Sequence, residues 1–239
     1  MVRNAITSLN KGKDDEVYEI TSDHFINCTE LAFFKLSQLL TCMLRHGCSS
    51  QNVNKSIIKP IPKNKQKSLS DSNNYRAISK NSIISKIIDN VISYLINREL
   101  STSDYQFAYK KNFSTTLCSF LVAETIQYYK SLGSNVYMLS LDATKAFDRV
   151  QYSKLFNDLL ERGICPLLIR FIMAIYMMSS AVVSWNGTQS ERFTLNNGVK
   201  QGAILSAPLF AMYIDPLICK LKKYGKGCNI GNLCANSFA

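Results

Sequence analysis

Acidic residues are scarce in this chain: 17 Asp and Glu stand against 28 Lys and Arg in 239 residues, a formal net charge of +11. The deficit points to an anionic partner, with nucleic acid ahead of an acidic membrane surface. Paired C-x-x-C cysteines are absent. The eight cysteines, at 28, 42, 48, 118, 165, 219, 228 and 234, are scattered through apolar segments, which predicts buried free thiols in a reducing compartment. Cys42, His46 and Cys48 form half of a zinc set without a second half. The N-terminus has no apolar signal core. The longest uncharged run, Phe171 to Ser190, is interrupted by Asn186, Gly187, Thr188 and Gln189, which read as a turn, so a spanning helix is excluded. A soluble intracellular protein is expected, nuclear or cytoplasmic; Lys220, Lys222, Lys223 and Lys226 make only a loose basic cluster. Internal repeats and low-complexity tracts are also missing. What remains, 46% hydrophobic and 19% charged, is a globular composition long enough for one or two domains with a real core.

Residues 1–29 are polar and read as a lead-in. Leu31, Phe34, Leu36, Leu39, Leu40, Met43 and Leu44 space a helix over Glu30–Arg45, stopped by Gly47. Over 51–80 seven Lys and Arg face a single acid, Asp71. Ser56–Ile61 is a strand candidate there, broken by Pro60 and Pro62, and the whole reads as a basic hairpin-like finger. It suits a clamp on phosphates and equally a solvated loop. Asn81–Leu100 carries an isoleucine-rich helical face, and Ser114–Ser131 repeats the style. Between them Q-F-A-Y-K-K-N-F-S-T-T interleaves aromatics with lysines, as a grip on nucleic acid or an exposed loop would. Asn135–Leu141 reads as a buried strand. Helices are expected over Tyr152–Arg162 and Pro166–Met178, then strands over Ala181–Trp185 and Glu191–Leu195 about an Asn-Gly turn. A last helix is expected over Ala203–Leu221, with Pro208 in its first turn.

Two stretches carry chemistry. L-S-L-D-A-T-K-A-F-D-R-V ends an apolar run on Asp142, followed five residues later by Phe147. Magnesium takes oxygen ligands, so Asp142 with the Ala143 backbone carbonyl would make a half-site. Taken alone such an Asp is more often a cap, and Asp148 reads as an N-cap for the next helix. In G-V-K-Q-G, Gly198 to Gly202, two glycines let backbone approach a ligand, Gln201 both donates and accepts, and Lys200 adds charge. The same pattern also suits the plain start of a helix.

Taken in order, I-I-K-P-I-P-K, N-Y-R-A-I-S, Q-F-A-Y-K-K-N-F-S-T-T, L-D-A-T-K-A-F-D-R-V and G-V-K-Q-G-A-I-L-S-A-P-L-F resemble the reverse transcriptase domain of non-LTR (LINE-type) retrotransposons, from about residue 30 onward. The resemblance implies an α+β fold, right-hand polymerase fingers and a partial palm, with helices packed on an incomplete antiparallel sheet. N-terminal helix and fingers would occupy 30–134 and the partial palm 135–239. Asp142 would be a catalytic carboxylate binding both magnesium ions, Phe147 the aromatic gate where a ribose 2′-hydroxyl would lie, and Lys63 and Arg76 the grip on the incoming triphosphate. Gln201 and Gly202 would contact nucleotide and template. RNA template, DNA primer and deoxynucleotide triphosphates are the implied partners.

Departures are Ala77 and Ala207, where the family usually has Pro. The family's aromatic-Ala-Asp-Asp motif, expected just beyond C-N-I-G-N-L-C-A-N-S-F-A, is not within the 239 residues. One carboxylate cannot hold two magnesium ions in line with a hydroxyl. The expectation is a fragment of an RNA-directed DNA polymerase, inactive by itself. A non-catalytic RNA-binding remnant and a decayed reading frame are the alternatives.

Overall fold

The computed structural model describes residues 1–96, 101–110, 112–230, 233–235 and 237–238. The chain divides into two compact units, Met1–Glu99 with Phe147–Ser206, and Leu100–Ala146 with Ala207–Ala239.

The first 29 residues, expected as a polar lead-in, carry elements packed into the first unit. Helix α1 (Val2–Thr7) buries Ala5 and Ile6 completely. A two-residue-strand hairpin, β1 (Asp14–Asp15) with β2 (Ile20–Thr21), is tied by Asp15. One Asp15 oxygen accepts the Val17 and Tyr18 amides at 2.9 and 2.6 Å. The other accepts the Ile83 amide at 3.0 Å, which satisfies an otherwise open donor at a helix start. Helix α2 (Ser22–Ile26) opens on a capping box between Thr21 and His24. Helix α3 (Glu30–His46) stops at Gly47, whose φ of 59° suits glycine; a Cβ there would run into the Arg170 side chain.

Strands β3 (Lys55–Pro62) and β4 (Tyr75–Asn81) form the predicted hairpin, in register from Ser56↔Asn81 to Pro62↔Tyr75. Pro60 and Pro62 are tolerated because the other neighbour of β3 pairs only with Lys55–Ile58, so beyond Ile58 one edge needs no N–H. Helix α4 (Ile83–Ile96) follows, its first turn capped by Ser82, whose hydroxyl accepts the Ser85 amide at 3.1 Å. Ile83, Ile87, Ile88, Ile92 and Ile96 are all buried. The expected continuation of this helix to residue 100 lies outside the described residues.

Helix α5 (Thr115–Ser131) belongs to the second unit. The chain returns to the first with α6 (Tyr152–Glu161) and α7 (Pro166–Met177), the latter with Pro166 at its start. Strand β5 (Ser180–Trp185) then turns through Asn186 and Gly187, both at positive φ, into β6 (Thr188–Gln189). That is the two-residue turn an Asn-Gly pair favours. Strand β7 (Phe193–Thr194) pairs back on β5. The sheet order is β4-β3-β5-β6, with β7 beside β5. It is mixed, not wholly antiparallel as expected, because β3 runs parallel to β5. The fold class is α+β, as a partial reverse-transcriptase-like hand would be. Leu155, Leu159 and Ile172 join the α4 isoleucines as fully buried side chains, each worth about 1.5–3 kcal/mol relative to exposure.

The second unit is completed by α8 (Ser206–Lys223) and by a small hairpin, β8 (Asn229–Ile230) with β9 (Leu233–Cys234). The aromatic-lysine stretch, read as a grip or an exposed loop, is tied inward in part, while Tyr109 is exposed. Gln106 donates to the Ala211 carbonyl at 3.2 Å, the Ser103 amide to Asp215 at 2.7 Å, and Lys110 to the Thr102 and Ser103 carbonyls. Two expectations fail, one in this unit and one in both. Asn135–Leu141 is not a strand; it pairs with no strand among the described residues, and Tyr137 is 92% and Leu141 83% exposed. An extended segment gains its ladder only from a partner edge. The thiols are not buried either: Cys42, Cys48 and Cys165 are exposed, and Cys28, Cys118, Cys219 and Cys228 are half-buried.

Candidate functional site

The G-V-K-Q-G loop is held from two sides within the first unit. On one side stands a single helical turn, Phe147–Arg149. The Val199 amide donates to the Phe147 carbonyl at 2.9 Å and the Gly198 amide to the Val150 carbonyl at 2.9 Å. Gly198 has φ of 84°, and a Cβ there would lie 2.9 Å from both Cα and carbonyl oxygen of Asp148. Real Cβ atoms do not approach backbone so closely, so this position requires glycine on both counts.

On the other side the loop meets β4. The Gln201 carbonyl accepts the Ser79 amide at 2.7 Å. Gly202 has φ of 102°, and a Cβ there would stand 3.0 Å from the Ser79 carbonyl and 3.7 Å from Ile78 Cγ2. Residues alternate across a strand, so Arg76 shares the face of Ile78 that Gly202 approaches. Arg76 lies opposite Ile61 and is exposed. Lys63 follows β3 directly; its amide donates to the Asn74 carbonyl at 2.6 Å and its ammonium to the Asn73 carbonyl at 2.9 Å. Lys63, Arg76, Phe147, Gln201 and Gly202 thus belong to one unit, with the loop joining the Phe147 turn to the basic hairpin.

Asp142 and Ala143 belong to the second unit, where both are exposed. Asp142 makes no ion pair among the described residues, so its carboxylate is open to solvent and to a cation. Its oxygen and the adjacent carbonyl suit one share of a magnesium shell. Among the described residues no cluster of three or more His, Cys, Asp or Glu side chains is placed to hold a metal ion. Cys42 and His46 line a hollow along α3 with Phe34 and Arg45. Asp148 does not cap α6; Gln151 stands at that position.

Three features escaped the sequence. Lys200, expected to lend charge at a pocket edge, turns inward and donates to the Asn54 carbonyl at 2.9 Å. Burial lowers its pKa to about 8, against the opposing pull of Asp89. Asp89, on α4, is 5% exposed, and burial pushes its carboxyl up to about 6 although Lys200 and the Leu205 and Ile204 amides favour the charged form. The available signal was an acid on a helix face otherwise made of Ser85, Ile92 and Ile96. Third, Glu16 in the N-terminal hairpin reaches onto the β3–β4 hairpin, where it accepts from Lys59 at 2.7 Å and also pairs with Lys80. Hydrogen bonds from those two lysines lower its pKa.

The glycine-bound loop, the aromatic turn and the basic hairpin thus lie in one unit. Residues 61–237 match the family described as reverse transcriptase (RNA-dependent DNA polymerase), and the chain belongs to that family. Its relatives place it in the non-LTR retrotransposon branch. It is 27% identical over 165 residues to the retrovirus-related Pol polyprotein from the type-1 retrotransposable element R2 of Popillia japonica, covering 68% of this chain and 23% of that protein. It is 23% identical over 165 residues to the corresponding polyprotein from the type-2 element R2DM of Drosophila melanogaster, covering 69% and 16%. Over 104 residues it is 30% identical to the transposon TX1 uncharacterized 149 kDa protein of Xenopus laevis, covering 44% and 8%. The chain therefore spans less than a quarter of each of these relatives. No helix among the described residues is long and apolar enough to cross a membrane.

Proposed function

We propose that this chain is the fingers and part of the palm of an RNA-directed DNA polymerase that adds deoxynucleotides to a primer 3′-hydroxyl. The observation that carries this is the double anchoring of the G-V-K-Q-G loop, to the Phe147 turn by Gly198 and to β4 by Gly202. Such anchoring presents Gln201 beside the hairpin that bears Lys63 and Arg76. In this reading Arg76 binds the triphosphate through its planar fork of donors and Lys63 through a point charge. Phe147, half-buried, limits the space beside the sugar, and Gln201 and Gly202 contact nucleotide and template. Asp142 with the Ala143 carbonyl would hold magnesium, which when bound polarises phosphoryl oxygens and lowers the pKa of the attacking hydroxyl. Template RNA and primer would be drawn to the basic chain by phosphate contacts. Localisation inside the cell fits that task.

Among the described residues this reading assigns one carboxylate, Asp142, to the metal, and two-metal transfer takes more. We therefore expect no primer extension from this chain alone. A primer-extension assay on an RNA template with magnesium tests both statements. The expected result is no extension together with salt-dependent RNA binding. Extension abolished by Asp142→Ala would overturn the inactivity and keep the role of Asp142; extension unaffected by that change would overturn the role. An absence of magnesium-dependent triphosphate binding would remove the nucleotide-loop assignment.

A further inference from the structure

The G-V-K-Q-G loop leads into a tight turn. The Ala203 amide donates to the Lys200 carbonyl at 3.1 Å, which puts Gln201 and Gly202 at the corner. Gly202, with φ of 102°, holds the third position of that turn, where a positive φ favours glycine. Lys200 is thus the first residue of the turn, and its side chain leaves the loop altogether. The ammonium donates to the Asn54 carbonyl at 2.9 Å, 146 residues away in sequence. Asn54 is a fixed acceptor. It is 1% exposed, its amide donates to the Ser50 carbonyl at 3.2 Å, and its side-chain oxygen accepts the Ser49 hydroxyl at 3.2 Å. It directly precedes β3, whereas the other anchor of the turn, the Ser79 amide on the Gln201 carbonyl at 2.7 Å, comes from β4. The corner is therefore held to both strands of the hairpin that bears Lys63 and Arg76. Removing the ammonium would leave the carbonyl of a buried residue short of its donor and the base of the turn without its β3 anchor.

We propose that Lys200 is a positioning residue of the nucleotide loop and not one of its phosphate contacts: its ammonium ties the base of the Lys200–Ala203 turn to the Asn54 carbonyl, and so sets the Gln201–Gly202 corner against the β3–β4 hairpin. This rests on the nucleotide-loop reading and deepens it, because it divides the basic groups near the loop by task. Lys63 and Arg76 meet the triphosphate. Lys200, the cation inside the motif itself, acts only through the turn it holds.

The test uses the whole chain with a fluorescent deoxynucleoside triphosphate and magnesium at about pH 7, titrated at several salt concentrations, with amide hydrogen exchange in parallel. Lys200→Met keeps the stem and removes the ammonium. It should weaken triphosphate binding about tenfold and leave the salt dependence of that binding as in wild type. Arg76→Gln, which in this reading removes a phosphate contact, should weaken binding and flatten the salt dependence. Exchange over Val199–Leu205 should quicken in Lys200→Met while α6 and α7 keep wild-type protection. Lys200→Arg, which keeps a donor, should recover part of the affinity. Wild-type affinity in Lys200→Met, or a salt dependence flattened as in Arg76→Gln, would overturn the proposal. Lysine acetylation of the wild-type chain, read by mass spectrometry, decides the matter even if Lys200→Met fails to fold. The triphosphate should shield Lys63, and Lys200 should react slowly with or without it. A Lys200 that reacts freely and is shielded by the triphosphate would be a phosphate contact, and the proposal would fall. If the wild-type chain binds no triphosphate, the nucleotide reading fails instead. Loop exchange in Lys200→Met then decides the positioning claim, with unchanged protection over Val199–Leu205 overturning it.

Discussion

The two units show how far apolar content alone carries a fold. The first buries its isoleucines and leucines on complementary helices, caps α4 twice, through Ser82 and Asp15, and closes its glycine turns against backbone. The second has comparable apolar runs but little to lay them on. In α5, Phe120 is 57% exposed, and Thr125 is the one buried residue among those described. The run Tyr137–Leu141, as apolar as any strand of the first unit, joins no strand and stays solvent-facing. The difference teaches that a strand-like composition is a demand for a partner, not a supply of one.

The largest expected contrast is in core truncation. Ile172→Ala removes a fully buried side chain of the first unit and should lower stability by about 2–5 kcal/mol. Leu139→Ala in the second unit, at 81% exposure, should change it by less than about 0.5 kcal/mol. Urea unfolding of both variants measures the contrast, and equal losses would break it.

Glycines give the next. Gly198 and Gly133 both have positive φ, 84° and 72°, but a Cβ meets the Asp148 backbone at the first and open space at the second. Gly198→Ala should cost about 2–4 kcal/mol from strain plus overpacking, and Gly133→Ala only about 1 kcal/mol from strain. Thermal unfolding distinguishes them.

A third prediction concerns pH and belongs to the first unit alone. Asp89 is raised from 3.8 to about 6 on folding, so its contribution to stability is fully present below 3.8 and is lost as pH rises through 6. Lys200 is lowered from 10.5 to about 8, so its contribution is present above 10.5 and is lost as pH falls through 8. Between about pH 6 and 8 both charges are carried at their highest cost to the fold. Subtracting the stability–pH curve of Asp89→Asn from that of wild type should leave a limb that falls from pH 4 to pH 6. A flat difference would show that the carboxyl titrates as it does when unfolded.

The smallest effect is at the surface. Glu16→Gln frees Lys59 and Lys80 from the acid that now occupies them. RNA affinity at low salt should rise about threefold, and the salt slope should steepen by up to about 1.4, as two more phosphates are neutralised. Unchanged binding would mean that this pair faces away from the nucleic acid.

The legible parts of the fold were those decided within a few residues. Isoleucine spacing marked α4, Gly47 its stop signal for α3, and Asn186-Gly187 the β5–β6 turn. The glycines of G-V-K-Q-G were recognisable as points of close approach, though not what they approach. Asp15 looked like a residue of a polar leader, because its partner, the Ile83 amide, lies 68 residues away. Lys200 looked like an exposed charge, because nothing local shows that its four-carbon stem turns inward to Asn54.

Composition and motif order by themselves determined the family, the basic character and most helix positions, since these depend on residue type and short-range spacing. Only the tertiary structure decided which apolar runs found partners and which charges, Asp89 and Lys200 among them, were buried. Those outcomes depend on desolvation and on contacts between residues far apart in the chain, which no local pattern encodes.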